Sequence, residues 1–99
     1  MNLYYRLEGK TVVPCTSIEE MNQGIIHVRR DELIDINVSV STVFIGIGFG
    51  DNPLLFETMI FGGRYNHYQR RYYTYEEAEQ GHLEALDLVF TDQSKELGK

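Results

Sequence analysis

The chain has 99 residues, a net charge of −6 and a hydrophobic fraction of 42%. This length predicts a single domain over residues 1–99 with a thin core, and the apolar content argues against a disordered chain. The acidic charge argues against duplex nucleic acid or an anionic membrane as a partner, because both would repel the chain.

Compartment and redox chemistry follow from what the sequence lacks. No apolar run approaches the length of a bilayer span, and no signal peptide is recognised at the N-terminus. The single cysteine, Cys15, can form neither an internal disulfide nor a thiolate cluster for zinc. We therefore expect a cytoplasmic protein without membrane association, in which Cys15 is a small, semi-buried side chain.

The N-terminal third predicts a hairpin and a short helix. Residues 4–7 and 11–13 flank a turn that contains Gly9, and Pro14 is expected to end the second strand. Two overlapping capping boxes follow in residues 16–20, and Gly24 limits the helix that they open to about two turns.

Four further strands are predicted in the middle of the chain. Residues 25–32 resemble a half-buried strand, and residues 36–47 alternate valine with small polar residues before becoming apolar on both faces. This change indicates either a bulge near residues 41–42 or a strand in the centre of the sheet. A glycine-rich loop then leads to a strand over residues 54–61, and residues 68–73 are typical of an edge strand.

A capping box formed by Thr74 and Glu77 predicts the start of the main helix. Its core face is given by residues that recur at helical spacing: Ala78, His82, Ala85, Leu86 and Val89. The polar residues 91–99 are expected to form a frayed tail.

These elements predict an α+β fold. It consists of an antiparallel β-meander of about four to six strands, one long C-terminal helix packed on one face, and a short N-terminal helix. One helix covers one face, whereas the strand over residues 54–61 has apolar side chains on both. We therefore expect a homodimer that buries the second face.

Two residues are candidates for chemistry. Glu57 lies in an apolar strand, so it either pairs with an arginine such as Arg70 or Arg71, faces solvent, or acts as a base or ligand contact. His82 lies on the apolar face of the main helix, where a core histidine bonded to a backbone carbonyl is the usual arrangement and a catalytic role the alternative.

Other motifs do not predict a cofactor or metal. Glu79 and His82 have the Glu-x-x-His spacing of di-iron bundles, but it occurs once on one helix. The glycines at 46, 48 and 50 lack the remaining residues of a dinucleotide or phosphate loop, and they fit a tight connection between strands. We expect neither cofactor nor metal.

Residues 64–75, the Arg/Tyr segment, have the most unusual composition. They contain three arginines, five of the seven tyrosines and no acidic residue. Such a composition suits a protein interface or stacking against nucleotides, and equally an edge strand whose tyrosines pack inward and whose arginines pair with acids. The candidate binding residues are Arg64, Tyr65, Tyr68, Arg70, Arg71 and Tyr72, together with Glu57 and His82.

The strands resemble a group of small, mostly uncharacterised proteins encoded by bacteriophages and prophages. The resemblance lies in VSTVFIGI at 40–47, PLLFETMIFGG at 53–63, and YQRRY at 68–72 followed by Thr74, residues 76–78 and residues 81–82. It covers under half of the chain, and the N-terminal third differs from the longer acidic or aromatic helical stretch of the similar proteins. The resemblance implies a phage accessory protein in a bacterial cytoplasm and marks Glu57, Arg71 and His82, but it implies no particular activity.

Three functional hypotheses follow. The first is a non-enzymatic accessory protein that binds a host protein or a component of host defence through the Arg/Tyr segment. The second is a homodimer that binds or sequesters a small nucleotide between arginines and tyrosines. The third is an unrecognised enzyme that uses Glu57 and His82, which requires the fold to bring them together beside a cleft.

Overall fold

The computed structural model describes residues 3–97, with side chains described up to Asp92. Its elements run in the order β1 Tyr4–Glu8, β2 Thr11–Cys15, β3 Ile26–Leu33, β4 Val38–Phe44, β5 Phe56–Phe61, β6 Gln69–Tyr72 and α1 Tyr75–Leu97. Single 3-10 turns at Ile18–Glu20 and Ile34–Ile36 lie on either side of β3. The predicted α+β class is confirmed.

Strands β1 and β2 form a hairpin that is attached to the end of β4. Tyr4 pairs with Cys15 and Glu8 with Thr11, and Gly9 occupies the turn with a φ of 61°. The Tyr5 amide donates to the Gly46 carbonyl at 2.8 Å, which fixes the hairpin against the chain that leaves β4.

Strands β3 to β6 form an antiparallel meander in chain order, so β4 and β5 are central and β3 and β6 are edges. Helix α1 lies across one face of this sheet and contacts all four strands. The capping box is present as predicted: the Glu77 amide donates to Thr74 Oγ1, and Glu77 Oε1 accepts from the Thr74 amide, both at 3.1 Å. Carboxylates in this first turn also suit the positive end of the helix dipole.

The core between α1 and the sheet is divided into two apolar clusters. The first lies beneath the hairpin and the start of α1, and it comprises Tyr5, Leu7, Phe44, Leu55, Phe56, Tyr72 and Ala78. The second lies beneath the middle of α1, and it comprises Val38, Val40, Ile60, Ala85, Leu86 and Val89. On β4, β5 and α1, the buried polar residues Thr42, Thr58 and His82 fall between the two clusters.

Several predicted boundaries differ from the structure. Strand β2 continues through Pro14 to Cys15, because Pro14 lies in an outer strand where its missing donor is tolerated. The predicted two-turn helix is only the 3-10 turn Ile18–Glu20, whose Glu20 carboxylate accepts from the amides of Thr16 and Ser17. These bonds pair the backbone amides at the start of the turn, and Gly24 prevents the turn from extending into a helix.

The change of pattern near residue 41 comes from a central strand and not from a bulge in it. Strand β4 alternates strictly between buried and half-buried side chains through Phe44, and the irregularity lies opposite, between His27 and Arg29 of β3. Helix α1 extends through Leu97, beyond the start of the frayed tail predicted for residues 91–99. Residues 98 and 99 of that prediction lie outside the described residues.

Candidate functional sites

A chain of hydrogen bonds runs through the core between α1 and the sheet. His82 is fully buried, its Nε2 lies 2.7 Å from Asp31 Oδ2 of β3, and its Nδ1 lies 2.7 Å from Thr42 Oγ1 of β4. Thr42 Oγ1 lies 2.5 Å from Thr58 Oγ1 of β5. Asp31 also accepts from the Arg29 guanidinium at 2.8 Å. The predicted bond from His82 to a backbone carbonyl is wrong, because two side chains from neighbouring strands occupy both ring nitrogens.

The donors in this chain can be assigned from the capacity of each group. An ionised carboxylate only accepts, so His82 Nε2 carries a proton and donates to Asp31. In a neutral ring Nδ1 then accepts, so Thr42 donates to it. A hydroxyl has one proton, so Thr58 must donate to Thr42. All bonds therefore point towards Asp31.

Two pKa shifts accompany this geometry. Burial lowers the pKa of His82 below its ordinary value of 6.5, and the hydrogen bond to Asp31 only partly opposes this effect. Burial raises the pKa of Asp31, but the hydrogen bonds from His82 and Arg29 outweigh it, so this carboxyl titrates below its ordinary value of 3.8. At neutral pH the pair is therefore a neutral imidazole beside a carboxylate.

Tyr72 of β6 belongs to the first apolar cluster, and the end of its ring reaches α1. Its side chain is buried, its hydroxyl makes no hydrogen bond, and burial raises the pKa of the phenol. The ring end packs against Gly81 of α1 so closely that a Cβ at this position would overlap it. Asp31, His82 and Thr42 follow the order of a hydrolase triad, but with the two ring nitrogens exchanged, since Nε2 bonds the carboxylate and Nδ1 bonds the hydroxyl. Thr42 is fully buried, however, so its hydroxyl is not presented to a substrate in this conformation.

Glu57 lies on the opposite face of the sheet from His82. Its Oε2 accepts from Arg71 Nε at 2.9 Å and from the Gln69 amide, both in the adjacent strand β6. The prediction of a salt bridge to a neighbouring-strand arginine is confirmed, with Arg71 as the partner. Because the sheet separates Glu57 from His82, the fold does not bring the proposed catalytic pair together.

No described element covers the face on which Glu57 lies, here called the open face. The strand registers place on it His27, Arg30, Glu32, Ser39, Ser41, Val43, Glu57, Met59, Phe61, Gln69 and Arg71. Its central strands contribute small or apolar side chains besides Glu57, and the charged side chains on its edge strands are Arg30, Glu32 and Arg71. An apolar centre with a polar rim is the general pattern of protein interfaces.

The arginines of the Arg/Tyr segment point in three directions. Arg71 faces the open face, whereas Arg70 pairs with Glu84 of α1 at 3.4 Å and Arg64 pairs with Asp92 at 3.2 Å. All three side chains remain between 52% and 70% exposed.

The tyrosines of the segment mostly pack inward. Tyr72 is buried, Tyr65 and Tyr68 pack on the second apolar cluster, and Tyr75 packs edge-on against Phe56. Tyr73, which directly follows β6, remains 43% exposed. The segment is thus an edge strand with an exposed basic surface, and no single cleft gathers its candidate residues.

Among the cavities lined by described residues, two contain neither an arginine nor a residue of the Arg/Tyr segment. The larger has a volume of about 360 Å³ and lies at the end of the sheet, lined by Glu32, Leu33, Ile34, Asn37, Val38, Ser39, Phe61 and Gly62. Its one charged group is acidic, so it does not suit a nucleotide phosphate. Among the described residues, no group of three or more His, Cys, Asp or Glu side chains is arranged to hold a metal ion, and no helix has the length and apolarity needed to cross a bilayer.

Sequence reasoning singled out His82 but not the residues that bind it. Asp31, Thr42 and Thr58 lie 51, 40 and 24 positions away in the chain, and each is unremarkable in its own strand. The sequence carried one signal for these partners: the alternation along β4 and β5 assigns Thr42 and Thr58 to the buried face.

Comparisons with family models, with curated proteins and with solved structures find no match for this chain.

Proposed function

We propose that this chain is a bacteriophage-type accessory protein of the bacterial cytoplasm that acts without catalysis, by binding a host protein such as a component of host defence. The binding surface is the β6 rim of the open face, where the Arg/Tyr segment presents Arg71 and Tyr73.

The observation that carries the proposal is the way Glu57 holds Arg71. The Glu57 side chain is only 13% exposed and contacts Nε of Arg71, whereas the Arg71 side chain remains 52% exposed. A guanidinium fixed through Nε can direct its terminal nitrogens at a partner's carboxylate. Because the side chain is already ordered, binding loses less conformational entropy than it would with a free arginine. Arginine and tyrosine are also the residue types most enriched at interface hot spots.

The test is charge reversal at single arginines, read out by capture of a host protein with the purified chain as bait. We expect Arg71→Glu to reduce capture at least tenfold, because the substitution removes the guanidinium and places two carboxylates side by side. Arg70→Glu is the matched control, since Arg70 lies in the same strand but points towards α1. Equal capture by the wild type and Arg71→Glu would overturn the proposal.

The apolar centre of the open face is expected to bind a second copy of the chain, so a change in capture could also come from a change in the contact between copies. The mass of each variant in solution is therefore measured in the same experiment. If Arg71→Glu loses capture and keeps the wild-type mass, Arg71 contacts the host protein. If the variant has half the wild-type mass in solution but captures the host protein normally, Arg71 serves the contact between copies and the partner surface is elsewhere.

A further inference from the structure

Strand β6 is an edge of the four-stranded sheet, and no strand of the described residues pairs with its outer side. In an antiparallel sheet, successive residues direct their backbone N–H and C=O groups alternately to the two sides of the strand. The carbonyls of Tyr68 and Tyr72 both accept at 3.1 Å from amides of the segment that contains β5. Arg70 lies midway between them and also faces β5, so the backbone groups of Gln69 and Arg71 face outward.

The two outward residues also present ordered side chains. Both side chains lie on the open face, where the Glu57 carboxylate accepts from the Gln69 amide and, at 2.9 Å, from Arg71 Nε. Each residue therefore offers one backbone donor, one backbone acceptor and a side chain fixed beside them. Because alternate residues of an extended segment share one side and one face, such a segment can meet both positions at once.

The other edge of the sheet, β3, is less suited to accept a strand. Its pairing with β4 is irregular between His27 and Arg29, and a bulge of this kind turns an edge away from a new neighbour. Its exposed charges are of both signs, since Arg30 pairs with Glu32 at 2.8 Å. Strand β6, in contrast, pairs with β5 without a shift along its whole length, and both of its charged side chains are arginines.

A second copy of β6 is a poor partner for this edge. Antiparallel pairing matches outward residues with outward residues. The two registers that overlap most of the strand then set either Arg70 or Arg71 directly opposite its own copy. Like charges at directly opposed positions destabilise a sheet. The edge therefore suits a different chain, one that places a carboxylate opposite Arg71.

We propose that the outer edge of β6 accepts an extended segment of the host protein as an added antiparallel strand, with an aspartate or glutamate opposite Arg71. This inference rests on the proposed function, because it names the partner chemistry for the same surface. The residue opposite Arg71 exchanges both backbone hydrogen bonds with it, and its side chain lies beside the guanidinium on the open face. Backbone bonds to Gln69 and Arg71 supply the affinity, and the carboxylate supplies the specificity.

The first test separates backbone pairing from side-chain contact by comparing Gln69→Pro with Gln69→Ala. Both variants lose the Gln69 side chain, but only proline removes the N–H that faces outward. An edge strand tolerates proline at such a position. In the host-capture experiment, we expect the proline variant to capture about fivefold less than the alanine variant. Equal capture by the two, with Arg71→Glu still reduced, would overturn strand addition and keep the proposed function.

The second test uses a defined probe and decides the matter if Gln69→Pro fails to fold. The probe is a blocked pentapeptide with a central glutamate between two valines and with threonine at both ends, titrated into the full chain and followed by amide NMR. We expect the amide signals of Gln69 and Arg71 to shift and that of Arg70, which faces β5, to shift much less. A peptide with a central lysine should bind at least tenfold more weakly, and one with an N-methylated glutamate about fivefold more weakly.

Each remaining outcome separates the two proposals. Shifts that spare the Gln69 and Arg71 amides, or equal binding of the glutamate and N-methylated peptides, would overturn strand addition. Failure of the proposed function has a different signature: Arg71→Glu would capture the host protein as the wild type does, while the glutamate peptide still binds β6. That result would support strand addition at this edge and place the host surface elsewhere.

Discussion

Thr42 and Thr58 occupy neighbouring buried positions in the two central strands. They are directly paired in the β4–β5 register, and both are fully buried. A buried hydroxyl without a partner destabilises a protein, but here each hydroxyl bonds the other and Thr42 also bonds His82. Threonine therefore serves two purposes at these positions, since its β-branched side chain suits a strand and its hydroxyl satisfies the helix histidine.

The two threonines should differ in how much they stabilise the fold. Thr42→Val leaves His82 Nδ1 without a donor and Thr58 without its acceptor, so we expect a loss of about 1–3 kcal/mol in the free energy of unfolding. Thr58→Val, its matched control with a similar change in shape, removes only the terminal donor and should cost clearly less. Urea unfolding at neutral pH measures both, and equal losses would contradict the assigned direction of the chain.

Helix α1 contacts the edge strand β6 through a glycine. Gly81 is buried in the helix, and the end of the Tyr72 ring occupies the space that a Cβ would need. Glycine is among the poorest helix formers, costing about 1 kcal/mol relative to alanine. Its place in the second turn of α1 is therefore explained by the close approach of helix and strand and not by helix propensity.

Gly81→Ala should destabilise the protein even though alanine favours a helix. The overlap with Tyr72 should cost about 1–3 kcal/mol, of which the gain in helix propensity recovers at most about 1 kcal/mol. Gln80→Ala, at the adjacent exposed position, is the control and should be neutral or slightly stabilising. Thermal unfolding of the two variants measures the difference, and a stabilised Gly81→Ala chain would show that Tyr72 moves aside at little cost.

The open face is electrically neutral although the whole molecule is acidic. It carries two arginines and two glutamates. Arg30 pairs with Glu32 along β3, and Arg71 of β6 pairs with Glu57 of β5. The net charge of −6 therefore arises from the rest of the chain. Two copies could meet through their open faces without bringing unpaired like charges together, which is the usual electrostatic obstacle to association of an acidic protein.

We expect the chain to associate through this face into a dimer of twice its 11.5 kDa mass. Light scattering during size-exclusion chromatography at micromolar concentration measures the mass. Met59→Lys, which places a charge in the apolar centre of the open face, should give a monomer. Phe90→Lys, at a half-exposed position of α1, is the control and should leave the dimer intact. A monomeric wild type would contradict the expectation and leave the open face to the host protein.

Most of the secondary structure could be predicted because its signals are local. The Thr74 and Glu77 pair marks the start of α1, the period of its apolar residues marks its buried face, and alternation marks β4. The less reliable boundaries were those that depend on neighbours. Pro14 is tolerated in β2 because it lies in an outer strand, and the apolar end of β4 reflects a central position that only strand pairing defines.

The sequence by itself therefore determined most of the elements, the α+β class and the interest of Glu57 and His82, because each of these follows from spacing within one segment. Only the tertiary structure decided their partners. His82 meets Asp31 across 51 positions and Glu57 meets Arg71 across 14, on opposite faces of one sheet. Strand register sets which side chains face each other, and register depends on packing over the whole sheet and helix.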